Sequence, residues 1–359
     1  MSDGFHRCGP DRAPLPVKTR GQHLIIDIHC HLGVKAADQL IAQAGIELPP
    51  AMPFTSPASA EVNREMFATI SPRLNGVVDR LDDMDRLGID VQAISPSPGQ
   101  YFYFTEPDLG RDLCRTINTA IAEAVCAHPD RFVGMGTVPL QNTELAVAEL
   151  RHCVNELGLR GVEINTNVNG AELADARFRP FFAAAEELGI VVFLHPLGFT
   201  EGRRLTDYYL NNIVGNPLES TIALSHLIFG GVLDRHPGLK LCVAHGGGFL
   251  PGYWGRMDHA WRARRECRVH IAREPSHFLH QVWLDTLVFD RDQLDSLIRS
   301  HGADRLCLGT DYPFDMAEPD PLGFHEHLDD SVKAAILGGN AANLLGLSLQ
   351  PRTREQMIL

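Results

Sequence analysis

The sequence predicts an α/β fold, a (β/α)8 barrel of the TIM type, and three observations carry that expectation. Eight short apolar runs alternate with stretches of helical spacing, no Gly-rich dinucleotide or phosphate loop follows any of them, and four of the eight end in histidine or aspartate. Short continuous apolar strands, each followed by a helix, belong to a parallel sheet buried on both faces. An open doubly wound sheet is the alternative, and the missing glycine-rich loop counts against it.

Composition sets the limits. At 359 residues the chain is long for one domain, but barrels run to this length as a single unit. Hydrophobic residues at 44% and charged residues at 21% describe a globular protein. A net charge of −13 argues against nucleic acid or an anionic membrane as partner. No apolar stretch approaches a membrane span, and the first 21 residues lack the apolar core of a signal peptide. The eight cysteines are scattered without a Cys-x-x-Cys pair, which is the usage of reduced thiols in a cytoplasmic enzyme. The expected organisation is a loose N-terminal arm over 1–22, one catalytic domain over 23–348 and a C-terminal tail over 349–359. An insertion of about 33–75 interrupts the domain after strand one.

Strand one covers 24–31 and ends in His29-Cys30-His31. Alternation along a strand puts both imidazoles on one face, half of a metal site. An irregular, Pro-, Ala- and Ser-rich stretch runs to Asn75, and so long an insertion at a strand exit is usually functional. A helix follows near 77–87, then strand two at 90–95, a helix at 107–128, strand three at 132–138 and a helix at 143–157. Strands four to eight lie at 161–165, 190–195, 239–245, 282–286 and 306–311. Helices near 178–188, 217–234, 249–264 and 291–300 separate them, and a last helix runs over 331–345.

Strand five ends at His195, strand six at His245 followed by three glycines, and strand eight at Asp311. A barrel brings every strand's carboxyl end to one mouth, where the active sites of this fold sit. Burying a lone imidazole or carboxylate is costly, so a set at one mouth points to a shared purpose. Taken singly, His195 as a helix cap, Asp311 as an acceptor for backbone amides, or His245 as a cap on the glycine turn remain alternatives.

These residues resemble the amidohydrolase superfamily in its branch of metal-dependent decarboxylases. The resemblance spans about 25–347 and rests on His29-x-His31, Met84-Asp85 with Gly88-Ile89-Asp90-Val91-Gln92, and His195-Pro196. It continues in Ala244-His245-Gly246-Gly247-Gly248 with Gly255-Arg256-x-Asp258, in Leu308-Gly309-Thr310-Asp311-Tyr312-Pro313, and in Gly339-Asn340-Ala341. It implies His29, His31, His195 and Asp311 as ligands of one divalent metal ion, zinc, with manganese the alternative. His245 would be the acid/base residue beside it, and Asp311 counts also among the catalytic groups. Glu163 on strand four stands where the resembling decarboxylases have a neutral amide. It either holds a second metal with His195 and His245 or orients a ligand histidine.

For the substrate carboxylate, the family's arginine in the insertion has two counterparts here, Arg64 and Arg73. Tyr208 takes an aromatic stacking role or merely packs. The resemblance also implies a homodimer with shared active sites, Arg256 serving the neighbouring chain's site, with pairing inside its own chain as the alternative. Arg264 is either a second such arginine or part of a solvated helix face.

A centre of three imidazoles and one carboxylate with an open position lowers the pKa of coordinated water to about 7 and polarises a substrate oxygen. His245 can then move a proton between water and carbon. The expected function is nonoxidative decarboxylation of a muconic, dienoic or aromatic acid, as in aromatic-compound breakdown. A hydrolase or hydratase is the runner-up, and a non-catalytic metal-binding protein is third.

Overall fold

Eight parallel strands form one sheet whose order follows the sequence. They are β1 (Ile26–Leu32), β2 (Val91–Pro96), β3 (Phe132–Gly136), β4 (Gly161–Ile164), β5 (Val191–Leu194), β6 (Lys240–Val243), β7 (Val282–Asp285) and β8 (Leu306–Cys307). The computed structural model describes residues 15–17, 23–49 and 54–349. The two edges of the sheet meet. The Ile28 amide donates to the Leu308 carbonyl at 2.9 Å and the His31 amide to the Tyr312 carbonyl at 2.8 Å. The Asp311 amide returns to the His29 carbonyl at 2.8 Å, so the sheet closes into the expected barrel.

Side chains from widely separated strands, among them Ile26, Ile28, Val91, Val191, Phe193 and Cys242, meet in one apolar cluster. Only the inside of a closed barrel lets them do so. The alternate residues pack outward, where Val192, Leu241 and Leu284 join Phe181, Leu224 and Leu227 of the surrounding helices. Burial on both faces is what made the strands read as continuous apolar runs.

One irregularity positions the site. Asp27 pairs with Gln92 but Cys30 with Ile94, so β1 carries one extra residue between them. Such a bulge flips the alternation. Ile26 and Ile28 face the interior below it, and His29 and His31 face the interior above it, while Cys30 joins the outer core. A buried network holds the bulge. The Asp27 carboxylate accepts from the His29 amide at 3.1 Å, the Thr310 amide at 3.0 Å and Gln92 Nε2 at 3.1 Å. The fully buried Arg80 donates to Gln92 Oε1 at 2.9 Å and to the His31 carbonyl, and lies over the Tyr312 ring at 4.8 Å.

The insertion corrects the expected irregular stretch. It contains the helices Lys35–Gln43 and Pro57–Leu74. Pro57 opens the second at a position where its missing N–H costs nothing, and the Ser56 hydroxyl accepts from the Ser59 amide at 3.1 Å. Two expected helices are divided. The one near 217–234 becomes Asn216–Phe229 and Val232–Arg235, and the last is interrupted by a π-helical turn at Ala335–Gly339. A two-stranded hairpin, Asn167–Val168 with Ala171–Glu172, follows β4. Within the N-terminal arm Leu15–Val17 forms a strand parallel to Leu347–Leu349. Residues 1–14 and 18–22 of the arm, 50–53 of the insertion, and the tail from 350 on lie outside the described residues.

Candidate active site

The barrel mouth gathers four ligand side chains. Ligand atoms of His29, His31, His195 and Asp311, all buried, lie within 4.8 Å of one another. Among the described residues, His29 Nε2, His31 Nε2, both ring nitrogens of His195 and Asp311 Oδ1 are buried without a well-aligned hydrogen bond, although Asp311 Oδ1 lies 3.3 Å from His29 Nε2 and 3.1 Å from His31 Nε2. So many orphaned polar atoms facing one point are costly unless something binds them. Three imidazole nitrogens and a carboxylate oxygen are the donor set of a borderline divalent cation, so the residues fit one.

Each ligand is set by its strand end. Gly309 lets β8 pass close, because a Cβ there would come within 2.8 Å of the Cβ atoms of both His29 and Asp285. His29 Nδ1 meets Asp285 Oδ2 at 2.6 Å. That carboxylate also accepts from the His245 amide at 3.0 Å and the Gly246 amide at 2.8 Å. A carboxylate behind a ligand histidine fixes its tautomer and raises its basicity. Asp285 was missed in the sequence. The signal was there in Leu284-Asp285-Thr286, a carboxylate at a strand end like Asp311, but no motif marked it.

His31 Nδ1 lies 3.0 Å from the Pro96 carbonyl and 3.5 Å from Glu163 Oε2. Both Glu163 oxygens are engaged, one by the Ser95 hydroxyl at 2.5 Å and one by the Tyr101 hydroxyl at 2.7 Å. Glu163 therefore stands behind His31, on the side away from the nitrogen that faces the other ligands, and lies outside the four-ligand group.

The electrostatics follow from burial and proximity. Burial pushes the Asp311 carboxyl up, but the imidazoles of His29, His245 and His31 outweigh it and hold it well below the usual carboxylate range. Burial opposes protonation of His29, yet Asp311 and Asp285 raise its pKa well above the ordinary value. For His195 burial and three neighbouring imidazoles act together and lower it well below, which leaves the neutral ring a ligand needs.

His245 completes the ring of imidazoles. Its centroid is 5.2 Å from that of His29 and 5.0 Å from that of His195, and its Nε2 lies 3.8 Å from Asp311 Oδ2. Both His245 and Asp311 hold positive φ, 56° and 62°, a conformation that costs an L-residue energy and gathers at functional sites.

Above the imidazoles opens a cavity of about 750 Å3, bounded by His195, Asp311, Tyr101 and the insertion. Phe314 tilts over His31 at 5.5 Å, and Phe67 of the helix Pro57–Leu74 meets Phe314 edge-on at 6.0 Å. The expected substrate residues lie elsewhere. Arg64 is exposed and pairs with Glu61, and Arg73 pairs with Asp83 at 2.9 Å. Neither borders the cavity. Tyr208 is 85% exposed on an outer depression, whereas the neighbouring Tyr209 borders the cavity. Arg256 and Arg264 are both exposed. No ion pair of Arg256 occurs among the described residues, whereas Arg264 pairs with Glu266.

The model of the Amidohydrolase family matches residues 26–347. The chain belongs to the amidohydrolase family. This amidohydrolase is 39% identical over 272 residues to 2-amino-3-carboxymuconate-6-semialdehyde decarboxylase from Dictyostelium discoideum, covering 75% of this chain and 76% of the relative. It is 29% identical to gamma-resorcylate decarboxylase from Rhodococcus jostii, over 68% of this chain and 80% of that one. The barrel superposes with a TM-score of 0.81 on 5-carboxyvanillate decarboxylase from Novosphingobium aromaticivorans, solved with bound manganese and 3-methoxy-4-hydroxy-5-nitrobenzoic acid. That likeness, at 24% identity over 92% of this amidohydrolase and 100% of the other chain, is one of fold. The expectation of a carbon–carbon lyase agrees with the relatives' names. No helix among the described residues is long and apolar enough to cross a membrane.

Proposed function

We propose that this chain is a nonoxidative, metal-dependent decarboxylase of a carboxylated dienoic or aromatic acid. The observation that carries the reading is the group of orphaned ligand atoms beside His245, on the floor of a cavity large enough for such an acid. His29, His31, His195 and Asp311 would hold one divalent cation, zinc or manganese, which supplies Lewis-acid polarisation of a substrate oxygen and acidified water.

The chain's own residues do the rest. Protonated His245 delivers its Nε2 proton to the carbon bearing the carboxylate, which becomes sp3. The C–C bond then breaks, carbon dioxide leaves, and the bond's electrons restore the unsaturation. His245 regains a proton from solvent, so one carboxylate and one proton become one carbon dioxide and one new C–H bond in the product. Asp311, near His245 Nε2, stabilises the imidazolium between these steps. Asp285 and Glu163 fix the two strand-one histidines. Phe67 and Phe314 exclude water above them.

The working unit in this reading is a cytoplasmic homodimer, with Arg256 of each chain gripping the departing carboxylate at the neighbouring mouth. The buried, unpaired cysteines Cys30, Cys114, Cys153, Cys242 and Cys307 support a reducing compartment. The test is turnover of a panel of carboxymuconates and hydroxybenzoates, with carbon dioxide counted against acid consumed and the metal identified by elemental analysis. One carbon dioxide per acid is expected. Consumption with water added and no carbon dioxide released would make the chain a hydratase or hydrolase instead.

A further inference from the structure

The helix Pro57–Leu74 of the insertion is unevenly held. Its last turn is anchored: Ile70 and Leu74 are buried, the Gly33 amide donates to the Leu74 carbonyl at 2.8 Å, and Arg73 pairs with Asp83. Over 57–69 no residue is buried. The boundary between the two parts falls where the helix itself is weakest. Pro72 has no N–H to offer the Ala68 carbonyl, which loosens the ladder at that turn. Beside it the Thr69 hydroxyl turns back to the Glu65 carbonyl at 2.9 Å, a bond that favours a bend.

The loosely held part turns its apolar stripe towards open space. Val62 borders an outer cavity of about 770 Å3, while Met66 and Phe67 border the inner cavity above the histidines. Val62 is 54% exposed and Phe67 43%. A surface helix is normally held by packing such a stripe on a core, so this one lacks its usual support. Across the outer cavity lies the segment Asp207-Tyr208-Tyr209, which follows β5. Both tyrosines hold positive φ, 57° and 61°, strain of the kind that collects at ligand clamps and switches. A backbone bond joins the two sides, from the Ser56 amide to the Thr206 carbonyl at 3.2 Å. Asn63, Tyr209 and Asp315 border both cavities, so the helix and the facing loops together build the wall between them.

We infer that residues 57–69 form a hinged lid. It pivots at 68–72 and closes on the Tyr208-Tyr209 segment when an acid fills the inner cavity. Closure covers Val62 and Phe67 with ligand and loop, narrows the outer cavity and keeps water from the histidines. The inference rests on the decarboxylase reading for one point, that the ligand is a carboxylic acid; the hinge rests on packing alone.

The experiment is amide hydrogen exchange, read by mass spectrometry on the metal-loaded protein, free and with an acid of the panel that calorimetry shows to bind. In the free protein the amides over 59–69 are expected to exchange about ten-fold or more faster than those of the helix Pro107–Ala127, whose inner face is buried. Bound acid should slow 59–69 by about ten-fold and leave Pro107–Ala127 unchanged. Pro72→Ala supplies the missing N–H at an exposed position and should slow exchange over 59–69 several-fold without any acid. Amides over 59–69 as slow as those of Pro107–Ala127 in the free protein, or indifferent to Pro72→Ala, would overturn the hinge. Exchange unmoved by an acid that does bind would overturn the closure. If no acid of the panel binds, the decarboxylase reading fails, and the free protein and Pro72→Ala still decide the hinge.

Discussion

Asp285 shows how much of a site lies behind its ligands. It is fully buried, yet its carboxyl is held below the usual range, because the His29 and His245 imidazoles and the Gly246 amide outweigh the cost of burial. His29→Ala, His195→Ala and Asp311→Ala should therefore each lose bound metal and activity with the barrel intact, since apolar residues below the mouth form the core. Elemental analysis beside circular dichroism checks this, and full metal occupancy in all three would remove them from the ligand set. Asp285→Asn should behave differently, binding metal about 10- to 100-fold more weakly, as removal of a partner behind a ligand does. His245→Asn should keep the metal and lower kcat by about 10²–10⁴, the range for a positioned proton donor. A His245→Asn protein purified without metal would make His245 a ligand.

At the scale of elements, the bulge in β1 and its brace decide where the two histidines stand. Arg80 is buried with its charge spread over Gln92, two backbone carbonyls and the Tyr312 ring. Tyr312 in turn donates to Asp83 at 2.8 Å. Arg80→Leu would leave Gln92 Oε1 and the His31 carbonyl without this donor, at a cost of about 2–5 kcal/mol. Denaturant unfolding of the metal-free protein measures that loss, and metal titration should show weaker binding, because the His31 backbone loses its anchor. Unchanged stability would mean water replaces the guanidinium.

The strands and their terminal ligands were legible because apolar runs and abrupt polar ends are local features of sequence. The bulge was not, since an extra residue shows only against a partner strand. The helix Pro57–Leu74 was not legible either: Pro57, Ala58, Ser59 and Ala60 read as loop by composition, and the residue that seeds the helix, Ser56, does so through a cap. The placement of the insertion's two arginines was not legible for a related reason. Arg64 and Arg73 sit on the right helix, but their outward facing depends on how that helix lies across the mouth.

At the scale of the molecule, neither lysine nor arginine borders the cavity among the described residues, which raises the question of where the departing carboxylate finds an arginine. Arg256 stands on the helix Trp254–Ala263, exposed and without an ion pair among the described residues, while Asp258, its expected partner within the chain, accepts from the Ser276 amide at 2.9 Å. Around it Phe249 is 41% and Tyr253 59% exposed, aromatic groups that a second copy would cover. An arginine suits such a boundary because its planar fork grips a carboxylate in two places and keeps its charge when dried. If each chain lends Arg256 to the other's mouth, inactive Arg256→Ala and His245→Asn chains should rescue one another. A mixed dimer then has one site with both residues wild type and one with neither. With random exchange of equal amounts, half the dimers are mixed, so about a quarter of the sites recover, read as carbon dioxide released after mixing. Mixed dimers shown by differential tagging to form but not to turn over would assign Arg256 to its own chain.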